Sequence, residues 1–420
     1  MKKLIVIINL FFVFTAFGQD IDYARKIIDT LCSPYFHGRG YVQNGDKLTA
    51  AFIADELKKF QKKKFNDSYF QPFEISINTF PSPIHLEIDN TALSPGIDFL
   101  IDPSSGSCKG SYEIEWLYKD NIENNDSLTL FLRNNHKNKF VVVDTSGVGS
   151  KDYREQIKNI TGLNLFNAKG IIEVTKKLTY GTSQKNNNFP TIQLKKDVID
   201  RNNKFITLYF RNKFIKNYET QNVIGYLDGE TDTFIVFTAH YDHLGMMGDK
   251  VYFPGANDNA SGVSMVLNLA KYYASLNKKL HYSIAFIFFS AEDVRLLGSK
   301  YFSEHPLFPL EKIKFFSNLD LVGTGDDGIK VVNGSVLKKE FDLLVSINNE
   351  MNLLKLISPR GEAANSDHYY FYSKGVKSIF IYTLGGISEY HSIFDKAETL
   401  PLTEYEDLFR LLITFVERYE

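Results

Sequence analysis

Apolar runs of strand length, alternating with helical stretches through the C-terminal half, constrain this chain more than any other feature. Phe234 to Thr238 and Ile284 to Phe289 are near-continuous apolar segments, and Ser317 to Val322 and Ser378 to Tyr382 complete a set of four. Such runs suit strands buried on both faces, the condition of a sheet covered by helices. Ser261 to Leu276, Leu297 to Ser303, Leu337 to Met351, Ser366 to Lys374 and the amphipathic Glu404 to Tyr419 read as the intervening helices. The alternation predicts an α/β fold, a mixed and largely parallel sheet flanked by helices on both faces.

At 420 residues the chain is long for one core, and two domains are expected. Tyr23 to Phe60 is mostly helical. Leu48, Ala51, Phe52, Ala54, Leu57 and Phe60 share one side of a helix over Lys47 to Lys63, and Phe36-His37-Gly38-Arg39-Gly40 is a glycine-punctuated turn before it. The grammar shifts at Pro81 and Pro83. From there to about Asn202 short strands alternate with polar loops, the best candidates being Phe140 to Val143, Gly170 to Val174 and Thr191 to Leu194. The expected organisation is residues 19–80 and 206–420 as one domain, with residues 81–205 as a mainly β insertion.

Residues 1–18 read as an export signal. Lys2 and Lys3 precede the apolar run Leu4 to Phe17, and Ala16 and Gly18 offer small side chains for cleavage after Gly18. The expectation is an exported protein, periplasmic or extracellular, with no other membrane-spanning stretch. A formal charge of −2 without a basic block excludes a nucleic-acid partner. Cys32 and Cys108 are the only cysteines; export permits a disulfide, and two free thiols fit equally. With so few thiols, a metal site here must be built from histidine and carboxylate.

Those residue types fall at telling places. His240 and Asp242 follow the first apolar run, Glu292 and Asp293 the second, Asp320 lies in the third, and His391 sits in a loop after the fourth. Ligands of open α/β sheets bind outside the carboxyl ends of the strands, so these loops can converge. Imidazole and carboxylate suit zinc. A pair of ions needs a shared carboxylate and terminal ligands for each. Such a pair polarises a carbonyl and activates water, and a further carboxylate must then move the proton.

Ala239-His240-Tyr241-Asp242-His243-Leu244-Gly245 and Gly255-Ala256-Asn257-Asp258-Asn259-Ala260-Ser261-Gly262 resemble two signatures of the di-zinc aminopeptidase family. That family includes bacterial leucyl-type aminopeptidases and, more distantly, glutamate carboxypeptidases and glutaminyl cyclases. Glu292-Asp293, Leu296-Leu297-Gly298-Ser299, Asn318-Leu319-Asp320 and Tyr390-His391 follow in the family's order. The resemblance implies two zinc ions: His240 and Asp320 on one, Asp293 and His391 on the other, Asp258 bridging. It implies Glu292 as general base, Asp242 as the acceptor of a hydrogen bond from the second nitrogen of His240, and Tyr390 as a donor to the developing oxyanion. His243 and His368 are candidates to line the pocket, with a structural role as the alternative. Asp367, next to Ser366, resembles a family position near the site, with helix capping as its alternative. His37, His85, His136, His281 and His305 read as surface or core residues.

The implied activity is aminopeptidase action on peptides, with free N-termini trimmed one residue at a time and apolar first residues preferred. Glutaminyl cyclisation, carboxypeptidase action and a catalytically silent binding protein are the rivals. Two departures from the family bear on this. Asp293 stands where glutamate is usual, and Val294-Arg295 where a glycine is common. The run Ser378 to Tyr382 holds no arginine to clamp a substrate carboxylate, although Arg295 and Arg360 could substitute. Lys139 to Asp144 and Asn167 to Ile172 resemble a protease-associated domain, which implies a mainly β insertion shaping access to the site.

Overall fold

The computed structural model describes residues 20–60, 62–276 and 278–419, so the expected export signal lies outside the described residues. Eight strands form the main sheet: β1 (Phe70–Thr79), β2 (Lys213–Leu227), β3 (Phe234–His240), β4 (Ser283–Phe289), β5 (Ile313–Leu319), β6 (Gly328–Val332), β7 (Ile357–Arg360) and β8 (Ser378–Leu384). Their order is β1-β2-β4-β3-β5-β8-β6-β7. The central four, β4-β3-β5-β8, run parallel and contain the expected runs. Antiparallel β1 and β2 extend the β4 side, and β6 with β7 extends the β8 side. The sheet is mixed, as expected, but twice as wide as its four central strands.

The parallel strands are apolar throughout because successive side chains enter different cores. Ile235, Phe237 and Ala239 of β3, with Ile284, Phe286 and Phe288 of β4, pack under the helices Ile21–Leu31, Gly45–Lys59, Gly262–Ser275, Lys338–Met351 and Tyr405–Arg418. Phe234 and Val236, with Ala285, Ile287 and Phe289, face the opposite core, which includes Phe302 and Phe371 of the helices Leu297–Glu304 and His368–Tyr372. This is the period-two alternation of a strand covered on both faces.

Two boundaries beside the site differ from the sequence reading. The third strand ends at Leu319, because Leu321 adopts a φ of 56° that no strand continues, and Asp320 is released above the sheet edge. The helix expected from Ser366 begins at His368, and the side chains of Ser366 and Asp367 remain free to face the strand ends. A second eight-stranded sheet takes its strands from His85 to Phe210, with helices at Asn125–Arg133 and Lys151–Gly162 against it. Cys32 and Cys108 are buried, unpaired and in separate cores. Among the described residues no helix is long and apolar enough to cross a membrane.

Candidate metal centre

The loops at the carboxyl ends of β3, β4, β5 and β8 bring His240, Glu292, Asp293, Asp320 and His391 together, and Asp258 joins them from the segment that opens the helix Gly262–Ser275. His240 Nε2 lies 3.3 Å from Asp258 Oδ1 and 3.4 Å from Asp320 Oδ1. His391 Nε2 lies 3.2 Å from Asp258 Oδ2 and 3.3 Å from Asp293 Oδ1. Asp258 thus presents one oxygen to each set.

Zinc bonds of about 2.0–2.1 Å at tetrahedral angles hold neighbouring donor atoms about 3.4 Å apart. The four separations match that spacing. His240 Nε2 and Asp320 Oδ1 are also buried without a hydrogen-bond partner among the described residues, so two unsatisfied polar atoms converge. Six carboxylates, from Asp242, Asp258, Glu292, Asp293, Asp320 and Asp367, are largely buried here, and their ion-pair contacts among the described residues are with His240, His243 and His391 alone. Buried negative charge without lysine or arginine calls for cations. His240 Nε2 is also 4.0 Å from Glu292 Oε2, so Glu292 stands beside this set. The donor set fits zinc.

The titration pattern follows from the packing. Burial, reinforced by Asp367, Asp293 and Asp320 and opposed by His240, holds Glu292 well above the usual carboxylate range. Burial works against ionisation of Asp258 too, but His243, His240 and His391 outweigh it and hold that group well below the range. Burial would lower His391, yet Asp258 and Asp293 push it up to about 11. Asp367, both of whose oxygens lack a hydrogen-bond partner among the described residues, is pushed up to about 7, first by burial.

Asp242 differs from expectation in its contacts. The Nδ1 of His240 meets the backbone carbonyl of Asp242 at 3.1 Å, while the Asp242 carboxylate is 3.8 Å away. That carboxylate accepts instead from the Glu292 amide at 3.0 Å and from the Tyr41 hydroxyl at 3.1 Å. A residue two positions along its own loop can offer its carbonyl, and its side chain is then free to hold the Glu292 loop. His243 comes closer to the centre than its residue type alone suggested, with Nδ1 3.1 Å from Asp293 Oδ2. The shorter Asp293 therefore still reaches both His243 and His391. Ser366 does not cap its helix: it accepts from Asn318 Nδ2 at 2.8 Å and donates to Asp320 Oδ2 at 3.3 Å. The Tyr390 ring stacks on His391 at 3.9 Å and lines the pocket above Glu292.

Four supports were not visible in the sequence. Arg39, fully buried, donates to the carbonyls of Leu31, Tyr241, Pro254, Gly255 and Asp258, tying the His240 loop to the Asp258 loop. Gly255 sits at φ 58°, where a Cβ would meet Asp258 O at 2.1 Å and Arg39 Nη2 at 2.6 Å, so no side chain fits. Asp395 accepts from the amides of Asn257 and Asp258 at 2.9–3.1 Å. Finally, the segment before Thr191 reaches the centre. Tyr180 O is 3.0 Å from His391 Nδ1, Tyr180 N donates to His391 O at 3.0 Å, and Thr182 Oγ1 donates to Asp293 O at 2.6 Å. The carbonyls of Asp242 and Tyr180 fix protons on the Nδ1 atoms of His240 and His391, leaving each Nε2 free to ligate.

Fold and site together define an α/β protein with a histidine–carboxylate metal centre at the carboxyl ends of a parallel sheet. Residues 222–416, just under half of the chain, match the model of Peptidase family M28. Aminopeptidase YwaD of Bacillus subtilis is 27% identical over 290 residues, 66% of this chain; the match spans 57% of that relative's length. Among solved structures, a zinc aminopeptidase from Bacillus subtilis superimposes with a TM-score of 0.68 at 22% identity, over 95% of this chain and 96% of its own. An aminopeptidase from Aneurinibacillus sp. strain AM-1 does so with 0.66 at 19% identity, over 96% and 94%. At these identities the two structures share the fold.

Proposed function

We propose that this protein is a zinc-dependent aminopeptidase that is exported after removal of residues 1–18, with residues 19–80 and 206–420 as its catalytic domain and 81–205 as an inserted protease-associated-like domain. The observation that carries the reading is the pair of donor sets sharing Asp258, one oxygen to each. His240 and Asp320 would hold one zinc ion, Asp293 and His391 the other. Zinc bound there would polarise a scissile carbonyl and acidify a water.

The chain's own groups do the rest. Glu292 Oε2 stands 4.0 Å from His240 Nε2, beside the first set and outside the four terminal ligands and Asp258, so its carboxylate takes the proton of the attacking water and returns it to the departing amine. Cations held by the two sets would favour the ionised form of Glu292 against the burial that raises it. The Asp242 carboxylate anchors the Glu292 amide and so aims the base. Tyr390, whose ring stacks on His391, would donate its hydroxyl to the oxyanion.

A panel of aminoacyl chromogenic substrates, run with and without a strong chelator, tests the reading. Hydrolysis should require metal. For peptides longer than a few residues, N-acetylation should abolish cleavage and C-terminal amidation should change little. The reverse pattern would replace this reading with carboxypeptidase action.

A further inference from the structure

The pocket that holds the acids is small, about 160 Å³, and Leu321, Phe380, Tyr382, Asn365 and an exposed Arg360 line it beside them. Drug-sized ligand pockets run to about 300–1,000 Å³, so this one has room for a single residue of a substrate. Arg360 ends β7, in register with Val332 of β6, and Tyr382 lies on β8 at the other side of β6. Across that strand Arg360 Nη1 donates to the Tyr382 hydroxyl at 3.3 Å, the guanidinium's only hydrogen bond among the described residues. No carboxylate of the described chain pairs with it, although the pocket floor is carboxylate-rich. A guanidinium has five N–H donors in a planar fork that matches a carboxylate. Leu321 and Phe380 supply apolar wall for a short aliphatic stem.

Resting on the reading of this pocket as a peptide-hydrolysing site, we infer that Arg360, braced by Tyr382, is a specificity residue that receives a substrate carboxylate within one residue of the scissile bond. The carboxylate has two sources: the side chain of an N-terminal glutamate or aspartate, or the terminal carboxylate of a single leaving residue. Without Arg360, the acidic floor would repel either one.

The test uses the zinc-loaded full chain, wild type and Arg360→Gln, on two substrate pairs. Glutamyl p-nitroanilide against glutaminyl p-nitroanilide reads the side-chain source, and Leu-Gly against Leu-Gly-amide reads the leaving-residue source. The wild type should favour the acid member of at least one pair. Arg360→Gln should lower kcat/KM for that member roughly ten- to a hundredfold, mainly through KM, the worth of a charge-assisted hydrogen bond, and leave its neutral partner little changed. Arg360→Lys should recover part of the loss, because charge returns without the fork. Equal losses on both members of each pair, or no acid preference in the wild type, would overturn the inference. If no aminoacyl substrate is turned over, the proposed activity has failed. Calorimetry then decides on Arg360: glutamic acid α-amide should bind the wild type more tightly than glutamine amide and lose that advantage in Arg360→Gln, and equal affinities would overturn it.

Discussion

Replacing Arg39 by methionine should damage the metal centre from outside it. The guanidinium is fully buried and donates to five carbonyls, among them Tyr241 O, next to His240, and Asp258 O. A hydrogen bond to a charged group contributes about 1.5–3 kcal/mol, but five bonds from one group are not additive. Part of the loss is also returned, because a buried charge is removed. Breaking a buried charged network typically costs about 3–5 kcal/mol, a large share of the 5–15 kcal/mol that stabilises a domain. Two measurements separate lost positioning from general destabilisation. Urea unfolding of the chelator-stripped protein gives stability, and competition with a zinc-binding dye gives affinity. Leu344→Ala is the control, a fully buried position in the helix Lys338–Met351 where truncation costs about 2–5 kcal/mol away from the loops. Arg39→Met should lower zinc affinity about tenfold or more, Arg39→Lys should lower it less, and Leu344→Ala should leave it unchanged. Equal zinc affinities in Arg39→Met and Leu344→Ala would refute the positioning argument.

Glu292→Gln should keep its zinc, measured by metal analysis, while kcat falls by about 10²–10⁴, and Asp258→Ala should lose metal outright. Thr182→Val removes the hydroxyl that holds Asp293 O and should weaken zinc binding at the His391 side by about 10–100-fold, seen as a second, weaker phase in a zinc titration. Lys62 is buried and its ammonium is lowered by burial to about 7, against 10.5 in the unfolded chain. The unfolded state therefore binds more protons between those values, and this group makes stability rise with pH by up to about 1.4 kcal/mol per unit across that window. Lys62→Met should flatten that slope in urea unfolding curves collected from pH 6 to 10.

The central sheet was legible because β3 and β4 are covered on both faces and read as unbroken apolar runs. The flanking strands were not. β1 is exposed and buried by turns, and β7 is a four-residue edge strand containing Pro359, so neither offers such a run. The metal-ligand candidates were legible because their chemistry lies in side-chain type at fixed loop positions. What holds them was hidden, because it works through backbone carbonyls: that of Asp242 on His240, that of Tyr180 on His391, and the set gathered by Arg39. Any residue can offer a carbonyl, so identity carries no signal there. The glycine-punctuated turn around Arg39 was visible as a turn, and its burial against the ligand loops arises only on folding.

The central claim is two zinc ions sharing Asp258, and anomalous diffraction at the zinc edge from crystals of the zinc-loaded protein tests it most directly. The account predicts two peaks, one among His240, Asp320 and Asp258 and one among His391, Asp293 and Asp258. A single peak, or peaks away from Asp258, would contradict it.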